Sequence, residues 1–231
     1  YGEEAREEGR GAAAKRTMHV LGVYSPLGRV GKTSLALALG QFLARRYSVL
    51  FLNLEPYSGF EQLFSCGFER NLGDLFYYIR QKKGQPAVQL AAMVHEAGGL
   101  SYVPPVITPE DVEQITGEEW SALLEELRLY SGYQVVILDF GGGITQASVL
   151  FDACSKIYMP IRQDRVSEAK LAQYEAWLGS TGREDVLKKT EKLILPTVAP
   201  QGEMPWPECL TVGRFGDHVR KLVQDGGIFR T

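Results

Sequence analysis

Short apolar runs alternate along the chain with longer stretches in which apolar residues recur every three or four positions. Short runs with β-branched residues are typical of buried parallel strands, and the periodic stretches are typical of amphipathic helices. The pattern predicts strands over residues 19–24, 48–53, 99–103, 133–139, from near 154 to 160, and 192–195. It predicts helices over residues 34–46, 71–83, 85–96, 109–115, 117–130, 164–178 and 214–224. Strands that alternate with helices predict an α/β fold, a mostly parallel sheet flanked by helices on both faces.

The loop between the first predicted strand and the first predicted helix is a candidate phosphate-binding site, with the sequence YSPLGRVGKTS over residues 24–34. In this context, loop N–H groups and the positive end of the helix dipole converge on an anion. Lys32 is expected to contact the β- and γ-phosphates, and the Thr33 hydroxyl to coordinate Mg²⁺. The other predicted nucleotide-binding residues of the loop are Leu27, Gly28, Arg29, Val30, Gly31 and Ser34. The alternative is an ordinary strand–turn–helix connection.

One residue of this loop departs from the standard pattern Gly-x-x-x-x-Gly-Lys-Thr. The first glycine of that pattern falls at position 26, where this chain has Pro26. Proline has no N–H group and a fixed φ, so the loop lacks one potential phosphate donor.

Polar residues follow two of the other predicted strands. Asn53 and Glu55 come at the end of the second strand, and Asp139 ends the strand over 133–139, ahead of the glycines at 141–143. Ligands bind at the carboxyl ends of strands in open α/β sheets, so these residues are site candidates. Asp139 is expected to hold Mg²⁺ or its water, and Gly142 to let backbone approach a γ-phosphate. The alternatives are that Asp139 caps a structural turn and that Asn53 and Glu55 belong to a solvated turn ended by Pro56.

Basic residues also follow the strand that ends at residue 160. Arg162, Arg165 and Lys170 lie near the expected ligand crevice, but a solvated helix start explains them equally well.

Composition and charge limit the remaining choices. With 231 residues and 45% hydrophobic content, the chain can bury a substantial core. The formal net charge of −3 gives no electrostatic footprint for nucleic acid. Cys66, Cys154 and Cys209 are isolated, which indicates neither a disulfide framework nor a zinc site. The sequence has no apolar run of membrane-spanning length and no signal peptide. We therefore expect a cytoplasmic protein, one that a partner could recruit to a cell pole or to the inner face of the membrane.

The first residues differ in composition from the rest. Residues 1–16 are charged and rich in alanine without an apolar face, so they are predicted to be a linker. A linker at this place suggests a preceding N-terminal domain, with residues 17–231 forming the domain that carries the phosphate loop.

The order of these signals resembles the MinD/ParA branch of P-loop ATPases. That branch has a deviant phosphate loop, the deviant Walker A motif Lys-Gly-Gly-x-Gly-Lys-Thr. Alignment on residues 31–33 places Leu27 at the signature lysine, Gly28 at the first glycine and Arg29 at the second. The variant Ser-Pro-x-x-Arg-x-Gly-Lys-Thr is most similar to the TadZ/CpaE-type proteins, which localise Tad-type pilus assembly machinery in bacteria.

Two further segments carry the resemblance. Residues 48–56 resemble the switch I segment of the branch, of the form Asp-x-Asp-Pro, with Asn53 and Glu55 at the two aspartate positions. Residues 135–143 resemble its Walker B and switch II segments, with Asp139 as the retained acid. The resemblance implies that Lys32, Glu55 and Asp139 act in hydrolysis, and that the signature lysine, absent here, reaches the partner's phosphates across a dimer.

The resemblance implies an ATP-binding switch that hydrolyses ATP slowly. The implied ligands are ATP or ADP and Mg²⁺, and the implied assembly is a homodimer. The implied partners are pilus-assembly proteins or other proteins at the cell pole. Two rival functions stay open. One is a non-hydrolysing scaffold, which Pro26, Leu27 and Asn53 favour. The other is a P-loop phosphotransferase such as a bacterial tyrosine kinase, although the C-terminal tyrosine cluster of those enzymes is missing and the last tyrosine is Tyr174.

Overall fold

The computed structural model describes residues 17–81, 86–141, 146–198 and 204–226. Their strands are β1 (His19–Val23), β2 (Val49–Asn53), β3 (His95–Ala97), β4 (Leu100–Val103), β5 (Val135–Asp139), β6 (Lys156–Pro160) and β7 (Thr190–Leu193). Their α-helices are α1 (Lys32–Ala44), α2 (Phe60–Leu63), α3 (Leu72–Gln81), α4 (Pro86–Met93), α5 (Pro109–Glu113), α6 (Gly117–Glu126), α7 (Ala147–Ala153), α8 (Arg165–Ser180), α9 (Glu184–Lys188) and α10 (Gly213–Asp225). The predicted linker over residues 1–16 lies outside the described residues.

The seven strands form one sheet in the order β3-β4-β2-β5-β1-β6-β7. β3 pairs antiparallel with β4, and every other neighbouring pair is parallel. The predicted mostly parallel α/β fold is confirmed. The central strands β2, β5 and β1 are the ones that carry the predicted site at their carboxyl ends.

Both faces of this sheet are buried, and successive side chains of a strand point to opposite faces. In β5, Val135 and Ile137 pack with α1 and α10 on one face. Val136 and Leu138 lie on the opposite face, where they pack with residues of the layer formed by α3 to α9. Each face therefore has its own apolar cluster, as expected for a parallel sheet between two helical layers. Among the described helices, none is long and apolar enough to cross a bilayer.

The edge strand β3 was not predicted. The pattern over residues 85–96 predicts one helix, but α4 ends at Met93 and residues 95–97 turn back as a strand. Gly98 and Gly99 both have positive φ, at 56° and 74°, which matches the tight turn that joins antiparallel strands. A strand of three residues is too short to show an alternating pattern.

Other differences lie where elements are short or flanked by further apolar residues. β7 covers Thr190–Leu193, two residues before the predicted 192–195, because it pairs in register with β6 and Leu193 stands opposite Pro160. The helices α2, α7 and α9 have four to seven residues, too few for a periodic apolar stripe. The helix predicted over 117–130 continues beyond α6 as a π-helical turn at Leu127–Ser131.

Close packing of α1 on the sheet depends on Gly40. A Cβ atom at this position would lie 2.7 Å from Leu100 Cδ2 and 3.3 Å from Ile137 Cδ1. The absence of a side chain lets α1 approach β4 and β5, which holds the start of the helix at the carboxyl end of β1.

We therefore expect Gly40→Ala to lower the free energy of unfolding by about 1–2 kcal/mol, because overpacking outweighs the gain in helix propensity. Urea unfolding followed by circular dichroism measures this change. Gly179→Ala is a matched control, since Gly179 is an exposed residue of α8 with no atom near its missing Cβ. The control should be neutral or gain up to about 1 kcal/mol. Equal effects of the two substitutions would contradict the packing argument.

Candidate functional site

The candidate phosphate loop, called the phosphate loop below, begins where β1 ends, at the centre of the sheet. Tyr24 continues the strand by donating its N–H to the Tyr158 carbonyl of β6 at 3.0 Å. The loop then runs over residues 25–31 before α1 begins at Lys32. Its position between β5 and β6 places it at the carboxyl edge of the parallel strands, where ligands bind in open α/β sheets.

Two apolar side chains anchor the loop in the core. Leu27 is 4% exposed and Val30 is 9% exposed, and both pack with the helices over one face of the sheet. The buried Ser25 hydroxyl accepts a hydrogen bond from the Leu27 N–H at 3.2 Å. Between these anchors, Gly28 and Arg29 are exposed. The loop therefore takes its shape from the protein core and presents Gly28 and Arg29 outward.

Arg29 has left-handed backbone geometry, with φ at 54°, which is uncommon outside glycine. Arg162 stabilises it by donating a hydrogen bond from Nη2 to the Arg29 carbonyl at 3.1 Å. Arg162 follows β6, so this bond joins the loop after β6 to the phosphate loop. The sequence left open whether Arg162 belongs to the site, because a contact across 133 residues has no local signal.

Gly31 is the N-cap residue of α1, with φ at 84° and no side-chain cap. The first turn of α1 holds no acidic residue and contains Lys32, Thr33 and Ser34, all half-buried. Helix N-termini present unpaired N–H groups and a positive dipole end. An uncapped N-terminus with a lysine in its first turn therefore suits an anion.

The second half of the site lies at the ends of β2 and β5. Asn53 and Asp139 stand opposite each other in the parallel register, and their exposed fractions are 0% and 1%. Asn53 donates from Nδ2 to Asp139 Oδ2 at 2.7 Å, and its Oδ1 accepts the Glu55 N–H at 3.0 Å. One amide side chain therefore links the buried acid to the segment that follows β2.

Burial raises the pKa of Asp139 to about 7. The nearby Glu55 carboxylate raises it as well, whereas the Thr33 hydroxyl, the Lys32 cation and the Asn53 amide lower it. These influences show that the start of α1 and the end of β5 lie together. Oδ1 of Asp139 is buried and, among the described residues, has no hydrogen-bond partner.

The residues around Oδ1 fit a magnesium ion. Mg²⁺ prefers oxygen ligands and is commonly held by one or two protein groups together with phosphates and water. The Thr33 hydroxyl and Asp139 Oδ1 are such oxygens, and Oδ1 is free of hydrogen bonds in the described part of the chain. No group of three His, Cys, Asp or Glu side chains forms a metal cluster within residues 17–81, 86–141, 146–198 and 204–226. An ion here would take its remaining ligands from phosphate and water.

Backbone contacts hold the segments after β2 and β5 against each other. Leu54 donates its N–H to the Asp139 carbonyl at 2.9 Å. A Cβ atom at Gly141 would lie 2.8 Å from Glu55 Cα, so only glycine allows this approach. Glu55 is thereby kept next to Asp139 and is half-buried.

The structure brings together Lys32, Thr33, Glu55 and Asp139, which the sequence places in three separate segments. Leu27, predicted as a nucleotide-binding residue, has its side chain in the core. The predicted Gly142 lies outside the described residues. Ser25 was not predicted as a residue of the site, although a serine before proline is a local signal for a turn.

No protein-family model matches the sequence, and no curated protein matches it. Solved structures do match. A ParA family ATPase from Chlorobium tepidum TLS has a TM-score of 0.70 at 16% identity, over 90% of this chain and 98% of that one. The MinD cell division protein of Aquifex aeolicus has a TM-score of 0.57 at 16% identity, over 78% of this chain and 70% of that one. Cobyrinic acid a,c-diamide synthase from Mycobacterium smegmatis with bound ADP and magnesium has a TM-score of 0.59 at 18% identity, over 90% of this chain and 82% of that one.

At these identities the likeness establishes the fold. The chain has the mostly parallel α/β fold of the ParA and MinD ATPases, the P-loop fold that its sequence predicts, and its sheet has seven strands.

The raised pKa of Asp139 predicts a pH-dependent stability. The folded protein keeps the proton up to about pH 7, whereas the unfolded chain loses it near pH 4. The unfolded state therefore binds fewer protons between these values, and stability falls as the pH rises through this window. In the presence of a chelator, Asp139→Asn should remove this loss and be more stable than the parent at pH 8 by about 1–3 kcal/mol.

Urea unfolding of both proteins at pH 5 and pH 8 measures this effect. Other titrating groups are common to the two proteins, so the change in their difference isolates Asp139. An equal difference at both pH values would show that Asp139 is ionised in the folded protein throughout.

The hydrogen bond from Arg162 predicts a role in shaping the phosphate loop. Arg162→Ala removes the bond to the Arg29 carbonyl, so the affinity for Mg·ATP should fall by about 3- to 10-fold. Arg165→Ala is the control, because Arg165 is the exposed first residue of α8 and its loss changes the net charge equally. Isothermal titration with Mg·ATP measures the affinity of the parent and of the two variants. If both substitutions weaken binding equally, the effect is one of charge and the loop contact is not responsible.

Proposed function

We propose that this protein is a Mg²⁺-dependent ATP-binding switch of the MinD/ParA type. The observation that carries the proposal is that Lys32 and Thr33 both lie close enough to Asp139 to lower its pKa, while Oδ1 of Asp139 has no hydrogen-bond partner among the described residues. A cation held between a hydroxyl and a buried carboxylate, beside a lysine at an uncapped helix N-terminus, suits a nucleotide polyphosphate.

Each residue has a proposed role in binding. The loop from Gly28 to Gly31 would face the phosphates with its backbone, Lys32 would contact the β- and γ-phosphates, and Ser34 would complete the first turn of the helix. Thr33 and Asp139 would hold Mg²⁺, which when bound neutralises charge on the phosphates. Gly142 remains a predicted phosphate contact.

Glu55 is the residue best placed to orient an attacking water. Its backbone is fixed by the Asn53 side chain and by close contact with Gly141, and its carboxylate lies near Asp139. Glutamate is one methylene longer than the aspartate of the family pattern, so the water would sit in a displaced position. We therefore propose slow hydrolysis, in which binding and release matter more than turnover.

A homodimer is the proposed working form. The side chain of Leu27, at the position of the signature lysine, is buried and cannot reach a second chain. Arg29 is exposed on the outer side of the phosphate loop, and its planar guanidinium is well suited to phosphate. Arg29 is thus the cation we assign to contact the nucleotide of a partner copy. The resemblance to TadZ/CpaE proteins leads us to propose a Tad-type pilus apparatus, or a similar polar assembly, as the cargo that this dimer positions.

A non-hydrolysing scaffold is the second candidate. The burial of Leu27 and the neutral Asn53 both favour it, since each removes a charge that the family pattern places at the site. Phosphate release at saturating Mg·ATP separates the two candidates, because a scaffold binds and dimerises without turnover.

Lys32→Ala should lower the affinity for Mg·ATP by about 10- to 100-fold, because a charge-assisted contact to the phosphates is lost. Isothermal titration measures the affinity, and light scattering measures the oligomer with and without Mg·ATP. Lys170→Ala is the control, because Lys170 is an exposed lysine of α8. The parent should dimerise with ATP, and Lys32→Ala should not.

A second variant separates binding from assembly. Arg29→Ala should bind Mg·ATP nearly as well as the parent but remain a monomer. If Lys32→Ala binds ATP as tightly as the parent does, the proposed phosphate site is refuted. A nucleotide-dependent dimer of Arg29→Ala would refute only the role of Arg29.

A further inference from the structure

The end of β2 and the segment after it lie against the end of β5 and the segment after it, and we call this contact the junction. The side chain that faces Asp139 in the junction is the neutral Asn53. Asn53 and Asp139 are both fully buried, and Asn53 Nδ2 lies 2.7 Å from Asp139 Oδ2. An aspartate at 53 would place two acceptor oxygens at this distance, and they would repel each other unless a proton or a cation lay between them.

Asn53 uses both ends of its amide in the junction. The Nδ2 group donates to Asp139, and Oδ1 accepts the Glu55 N–H at 3.0 Å. Together with the Leu54 N–H bond to the Asp139 carbonyl and the close approach of Gly141 to Glu55, this gives three contacts across the junction and one within residues 53–55. All four are made within the polypeptide, so none requires a nucleotide or an ion.

We propose that Asn53 is a positioning residue that replaces a cation at this junction, so that residues 53–55 stay ordered against residues 139–141 whether or not Mg²⁺ is present. The amide directs one oxygen of Asp139 inward, and Oδ1 is left for the metal. This proposal rests on the proposed function only in naming Oδ1 as a metal ligand. The junction itself stands on the hydrogen bonds.

The consequence concerns how the protein signals its nucleotide state. A segment that is already ordered changes little when a ligand binds, because a ligand shifts an equilibrium only by its differential affinity for two states. Residues 53–55 would therefore give no signal of nucleotide or Mg²⁺, and a partner that senses the nucleotide would contact another part of the surface.

Amide hydrogen exchange of a peptide covering residues 50–60 tests this proposal. Three proteins are compared in chelator, in Mg²⁺ alone and in Mg·ATP: the parent, Asn53→Asp and Asn71→Asp. Asn53→Asp keeps the acceptor for the Glu55 N–H but loses the donor to Asp139. Asn71→Asp is the matched control, since its Oδ1 likewise accepts a backbone N–H, that of Gly73 at 2.7 Å, outside the site.

In the parent and in Asn71→Asp, exchange of the Leu54 and Glu55 amides should be the same in all three conditions. The comparison is made at pH 9, so that the two carboxylates do not share a proton. In Asn53→Asp exchange should be about 10- to 100-fold faster in chelator, because a buried hydrogen bond is lost, and Mg²⁺ should slow it again by bridging the two carboxylates. Equal exchange in Asn53→Asp and the parent in chelator would overturn the proposal.

The parent alone also decides the question if the variant does not fold. A large slowing of exchange at Leu54 and Glu55 when Mg·ATP is added to the parent would overturn the proposal. Titration of the same samples with ATP keeps the two proposals apart. A parent that binds no ATP refutes the proposed function, while the comparison in chelator still decides the role of Asn53.

Discussion

The parallel pairing of β5 with β1 and β2 is the constraint on which the site depends. Asp139 stands opposite Val23 at the end of β1 and opposite Asn53 at the end of β2. The three strands therefore end at one level, and the loops that follow them begin side by side. Because each strand is buried on both faces, a shift of one residue would move side chains from one apolar cluster to the other. The geometry of the site is thus a consequence of how the core is packed.

Burial of Asp139 introduces an energetic cost that the surrounding residues reduce. A charged group in a dry interior is unfavourable unless it is paired or hydrogen-bonded. Here the Asn53 amide, the Thr33 hydroxyl and the Lys32 cation favour the charged form, but burial outweighs them and the pKa rises to about 7. A cation at Oδ1 would reduce this cost further, and any ligand that binds only the folded state stabilises it. Stability and ligand binding are therefore linked through one carboxyl group.

The parts of the fold that the sequence predicts are those with long patterns or local motifs. β5 has a run of apolar residues that ends in an acid, and α8 has a sustained helical period. Local signals likewise predict the phosphate loop and Asp139 as site candidates, although their proximity is not visible in the sequence. The burial of Leu27 and the bond from Arg162 to Arg29 depend on tertiary packing. Alignment to a motif compares positions along the chain, and it cannot tell whether a side chain points to the ligand or to the core.

Both halves of the site share one physical character, since each is shaped by contacts within the protein. Leu27 and Val30 anchor the phosphate loop in the core, and Asn53 holds the segment after β2 onto Asp139. A site that is ordered in advance loses less conformational entropy when a ligand binds, so affinity is gained without new contacts. The same order leaves less structural change to report that the ligand has bound. Under the proposed function, preorganisation therefore favours a nucleotide that mainly holds two chains together, with the exposed Arg29 at the proposed contact, over a nucleotide that drives rapid cycling between two shapes.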